Sequence, residues 1–150
     1  MSDYIQVLAR AAEADTVWVN AELDQALTEL DAEMERLATE LQVEFEGPGV
    51  GMADMHAEHV YRLMVRHHVW DVNTEGWGLK VCDALPNGTK RGMWPVQGTG
   101  RLRKQQLVKA LPEFFAGFVA AIDAAGKSSL PATGRVRAMA EAFGGTASAD

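Results

Sequence analysis

The chain holds a single cysteine, Cys82, among its 150 residues. No internal disulfide is possible, nothing in the composition requires an oxidising compartment, and a cytoplasmic setting is the expectation. No stretch approaches the ~18 uninterrupted apolar residues of a membrane span, and no basic segment leads into an apolar run at the start, so neither a spanning helix nor a secretory signal is expected. Internal repeats and extended low-complexity tracts are missing. So are the signatures that tie a motif to a chemistry. There is no His-Glu-x-x-His, no Gly-x-Ser-x-Gly around any serine, and no Walker sequence. No cofactor is implied.

Bases are scarce where acids are dense. Residues 15–46 carry ten acids and one base, Arg36, while residues 80–109 carry seven bases and one acid, Asp83, inside a chain of net charge −7. Such a charge dipole either steers partners or pairs with itself across the fold. With 47% apolar residues the composition is that of an ordinary globular domain. A chain this long buries roughly 70% of its unfolded surface without needing staples. We expect one domain over residues 1–143 and a disordered small-residue tail at 144–150.

The strongest pattern lies at residues 16–46. Leu23, Leu27, Leu30, Met34, Leu37 and Leu41 are spaced 4, 3, 4, 3, 4, a 3.5-residue repeat that predicts a heptad helix with one apolar seam. Asn20 occupies the next seam position backward, where an asparagine fixes register in a coiled coil. Residues 3–14 also read as helical, either separate or continuous with this helix. Gly47-Pro48-Gly49-Val50-Gly51 should end the helix and act as a hinge. A second helix is expected over 52–70, with Met52, Met55, His56, His59, Val60, Leu63, Met64 and His67 on one broad face, followed by a loop at 71–77. Strands at 78–84 and 89–96 around Leu85-Pro86-Asn87-Gly88 make a β-hairpin, because Pro86 presets the turn and Gly88 accepts a left-handed conformation. Its apolar side chains Leu79, Val81, Met93 or Trp94 must pack on helices. Residues 102–124 form an apolar helix that Pro112 should kink or split, and 133–143 form a short amphipathic helix. The expected fold is mainly α, bundle-like, with a long N-terminal heptad helix and one small β-hairpin near 78–96.

Three surfaces are candidates for function. The first is the seam of the acidic helix (Asn20, Leu23, Leu27, Leu30, Met34, Leu37, Leu41) with its carboxylates Glu33 and Glu40. It suits a non-catalytic interaction or regulatory protein that self-associates as a homodimer or docks on another protein, with charge mimicry of nucleic acid as one form of docking. Carboxylates on facing helices could also hold magnesium, but acids off an apolar seam are ordinarily a solvated face. The second surface is the basic segment Lys90, Arg91, Trp94, Arg101, Arg103 and Lys104, which mixes cations with an aromatic as single-strand nucleic-acid surfaces do. The third is the pair His56 and His59, whose i, i+3 spacing on a helix would let both imidazoles share a metal in an enzyme. The plain alternative for the histidines is a set of amphipathic core-edge side chains.

Overall fold

The structure, a computed structural model, describes residues 3–52, 60–71, 74–84 and 90–148, with side chains described outside 51–52, 60, 68–71, 74–75, 83–84, 90–92 and 145–148. Its elements in chain order are α1 (Tyr4–Glu13), α2 (Ala21–Leu41), β1 (Phe45–Met52), β2 (Val60–Asp71), β3 (Thr74–Ala84), β4 (Lys90–Pro95), a 3₁₀ turn at Val96–Gly98, α3 (Arg101–Ala124) and α4 (Pro131–Ser148). The four strands form one antiparallel meander in the order β1-β2-β3-β4. The fold is therefore mixed, helices on a sheet, and not the mainly α bundle with one small hairpin that the sequence predicts.

Local chemistry accounts for the helix boundaries. Asp3 caps α1, its carboxylate accepting the Ile5 N–H. Asn20 caps α2, accepting the Leu23 N–H at 2.9 Å. The segment that the sequence left as one helix or two is two. Asn20 works as a cap at the helix start and not as a register residue inside a seam. α2 stops at Leu41 because Gln42 takes a left-handed conformation (φ 53°), several residues before the glycines expected to end it. α3 runs through Pro112 as one helix, and α4 begins two residues before the predicted start and reaches Ser148.

The main correction concerns residues 45–71. The predicted hinge at 47–51 lies within edge strand β1, and the C-terminal half of the predicted helix 52–70 is strand β2. In β2 the core-facing set is Leu63 and Val65, which pair with Val81 and Leu79 of β3. Met64, on the opposite face of the strand, is also buried (2% exposed). A strand buried on both faces shows a continuous apolar run and loses the period-2 signal. In β1 the pairing with β2 is irregular on both sides of Gly49, which is how an edge strand tolerates Pro48. Gly47 is required for space, since a Cβ there would lie 2.6 Å from the Leu63 carbonyl oxygen and 2.7 Å from the Phe114 ring. The hairpin expected at 78–96 is present as β3 and β4, paired from Lys80 with Pro95 to Ala84 with Lys90, but as half of a larger sheet. Its turn, 85–89, lies outside the described residues.

The core lies between the helices and one face of the sheet. α2 packs on β3, α3 packs on β1, and α1 and α4 pack on α2 and α3. Phe45 of β1 meets Phe114 and Phe118 of α3 at ring-centroid distances of 5.5 and 5.9 Å, and Phe115 stacks on Phe143 of α4 at 5.4 Å. All six heptad residues are part of this core, none more than 2% exposed. The 3.5-residue seam is satisfied within one chain.

Candidate functional site

The charged residues singled out in the sequence mostly serve the fold. On α2, Asp24 pairs with Lys104 at 2.7 Å. Asp31 accepts the backbone N–H groups of Val96 and Gln97, one on each oxygen, at 3.0 and 2.9 Å. Glu40 accepts the Ala132 N–H at the start of α4. Glu33 takes Arg135 in a bidentate pair, at 2.7 Å to Nε and 2.9 Å to Nη2, and also accepts the Tyr4 hydroxyl. Arg135 reaches on to Asp3 at 3.0 Å, so one guanidinium joins α1, α2 and α4.

These contacts shift the ionisations. Burial would raise Glu33, but the Arg135 and Tyr4 hydrogen bonds overcome it and hold the carboxyl below its ordinary range. The Arg135 hydrogen bond lowers Asp3 against a smaller opposing effect of burial. Burial, with the Glu33 carboxylate beside it, drives the Tyr4 phenol upward. Asp31 is raised, because burial outweighs its two backbone donors and the Lys80 charge.

The bases behave likewise. Lys109 donates to the carbonyls of Ala12 and Ala14 at the end of α1, and Lys127 to that of Leu41 at the end of α2; both are favourable places for a cation at a helix C-terminus. Among the described residues one ion pair, Asp24 with Lys104, joins the acidic and basic segments directly.

One region collects what remains. Tyr61, Val81 and Trp94 lie on successive strands on the core-facing side of the sheet, and the segment Gly98-Thr99-Gly100-Arg101-Leu102-Arg103 faces them across a cleft of about 430 Å³. The Tyr61 and Trp94 rings meet edge to face at 5.7 Å, and the Arg103 guanidinium covers the Tyr61 ring at 3.9 Å. Arg103 is fixed further by donating to the Val50 carbonyl and to Gln106 Oε1, both at 2.6 Å. Trp94 is 39% and Leu102 65% exposed. The Thr99 hydroxyl donates to the Val96 carbonyl at 2.9 Å. α3 starts at Arg101 after Gly100 without a side-chain cap, and Arg101 has no ion-pair partner among the described residues. No acid is among the described lining residues; Asp83 stands opposite Tyr61 in the strand register, its side chain outside the described part.

Of the predicted basic segment, the structure thus brings Trp94, Arg101 and Arg103 together and directs Lys104 to Asp24. Lys90 and Arg91 are placed on β4, their side chains outside the described part. Val81 was expected only as a packing residue of the hairpin and Gly98-Thr99-Gly100 with Arg101 and Arg103 only as a weak phosphate-binding helix start, while Tyr61 was not singled out in the sequence. Tyr61 had no signal there, because its segment read as helix. His56 and His59 lie outside the described residues. His67 sits on β2 against Trp77, ring centroids 5.4 Å apart, and no group of three or more His, Cys, Asp or Glu side chains converges as a metal site among the described residues. No helix among them is long and apolar enough to cross a membrane. Comparison of the chain with protein-family models, with curated proteins and with solved structures found no match.

Proposed function

We propose that this is a non-catalytic binding protein that engages an anionic partner at the cleft between the β-sheet and the start of α3. The observation that carries this reading is local charge. Arg101 lines the cleft with no ion-pair partner among the described residues, in a chain of net charge −7. A guanidinium without a carboxylate partner at the mouth of a recess attracts anions. The described lining offers cations, rings and two hydroxyls, those of Tyr61 and Thr99, which suit recognition better than proton transfer or nucleophilic attack. Docking through the heptad seam of α2, the first candidate from the sequence, loses its support because those side chains form the core.

The test is a titration of isotopically labelled protein with inorganic pyrophosphate and with polyglutamate, followed by amide shifts. The expected result is saturable movement centred on residues 98–103 that is lost in Arg101→Glu. Shifts scattered over the surface, or none, would overturn the proposal.

A further inference from the structure

The cleft has a second character that charge alone does not use. Its floor is aromatic, its lip is the exposed Leu102, and its volume of about 430 Å³ falls within the roughly 300–1,000 Å³ typical of small-molecule sites. Building on the anion-binding reading above, we propose that the occupant is a single free nucleotide, its base against Trp94 and its phosphate on Arg101.

Three features select this chemistry. First, Arg103 already covers the Tyr61 ring, so Tyr61 and Arg103 form a fixed wall and Trp94, 39% exposed, is the ring left open to stack on a flat heterocycle. Second, Arg101 lines the cleft, supplies a planar donor fork suited to phosphate oxygens and is not engaged by any described carboxylate. Third, Thr99 lines the cleft and spends its hydroxyl proton on the Val96 carbonyl, which leaves its oxygen as an acceptor. An exocyclic amino group of a base or a sugar hydroxyl supplies the matching donor. A phosphorylated phenol carries a ring and an anion but no such donor.

Among the described cations, the geometry favours a small molecule over a polymer. A strand needs a track of cations beyond the first nucleotide. Here Lys104 is held by Asp24, Lys109 by the end of α1 and Arg103 by Val50 and Gln106. Arg101 is thus the one cation of residues 101–109 without a described partner.

The test is binding of each of the four common ribonucleoside 5′-monophosphates to the full chain, followed by the Trp94 indole N–H signal and the amides of residues 98–103. At least one should saturate with a dissociation constant of about 1 mM or tighter. Trp94→Ala should weaken it about tenfold or more while Trp94→Phe, which keeps a ring, loses less. The matching nucleoside without phosphate should bind less tightly, as should the nucleotide to Arg101→Gln. Inorganic pyrophosphate binding as well as the nucleotide, with no effect of Trp94→Ala, would overturn the nucleotide and leave the anion-binding reading standing. Phosphotyrosine binding more tightly than every nucleotide would overturn it too. Affinity rising with the length of a single-stranded oligonucleotide would assign the cleft to a polymer instead. Absence of any shift with nucleotide or pyrophosphate would remove both readings together.

Discussion

Single residues in this chain do several jobs, and Arg135 shows it best. Its guanidinium binds Glu33 through two nitrogens and Asp3 through a third, and Glu33 accepts Tyr4 as well. Because Arg135 lowers both carboxyls in the folded state, folding binds fewer protons there than the unfolded chain does. The stabilisation is present above the ordinary carboxylate range, about pH 4 to 5, and is lost as pH falls through the lower folded values. Asp31 has the opposite sign. Its carboxyl is raised, so its contribution improves as pH falls through its folded value. Urea midpoints measured from about pH 3 to 7 should therefore drop on the acid side in the wild type, drop less steeply in Arg135→Ala, and drop more steeply when Asp31 is replaced by Asn. An Arg135→Ala profile parallel to the wild type would show that the cluster does not set the acid response.

At the scale of elements, the legible parts were those whose pattern is dictated by one neighbour. α2 faces the core along one stripe, so Leu23 through Leu41 stand out, and the β3–β4 hairpin carries its turn chemistry in sequence. The illegible parts were β1 and β2. β1 is built from Gly-Pro-Gly-Val-Gly, which reads as punctuation, yet Gly47 is there because Leu63 and Phe114 approach so closely. β2 buries Leu63, Met64 and Val65 in succession, and three consecutive apolar residues fit a helix face as well as a two-sided strand. A 3.5-residue spacing does not by itself distinguish a seam between chains from one inside a chain. With Leu30 fully buried, Leu30→Ala should cost about 2–5 kcal/mol in denaturant unfolding. Light scattering should give one chain mass for the wild type and the same mass for folded Leu30→Ala. A wild-type dimer that Leu30→Ala dissociates without loss of monomer stability would return the seam to an interface.

At the scale of the whole molecule, the helical layer and the sheet are tied at few polar points among the described residues, and the cleft lies beside one of them. α2 and the 3₁₀ turn meet where Asp31 accepts the N–H groups of Val96, 65 residues away in sequence, and of Gln97. That turn ends at Gly98, so the same joint positions Gly98, Thr99 and Gly100 along the cleft wall. Val96 itself is fully buried, and its N–H has no ready access to water if the carboxylate is removed. A buried donor left without its acceptor costs about 1–3 kcal/mol. Asp31→Ala should lower stability by that order, with faster hydrogen exchange at the Val96 and Gln97 amides and little change in the exchange of α4. Asp31→Asn keeps one carbonyl acceptor but turns an amide N–H₂ toward the second donor, so it should fall between the wild type and Asp31→Ala. The Lys80 charge that helps hold Asp31 ionised adds a second handle: Lys80→Met should raise the Asp31 pKa further, read directly from the pH dependence of the Val96 amide shift. If Val96 exchange were unchanged in Asp31→Ala while global stability fell, the carboxylate would be supporting α2 alone, and the wall of the cleft would have to be held by the β3–β4 pairing and the start of α3.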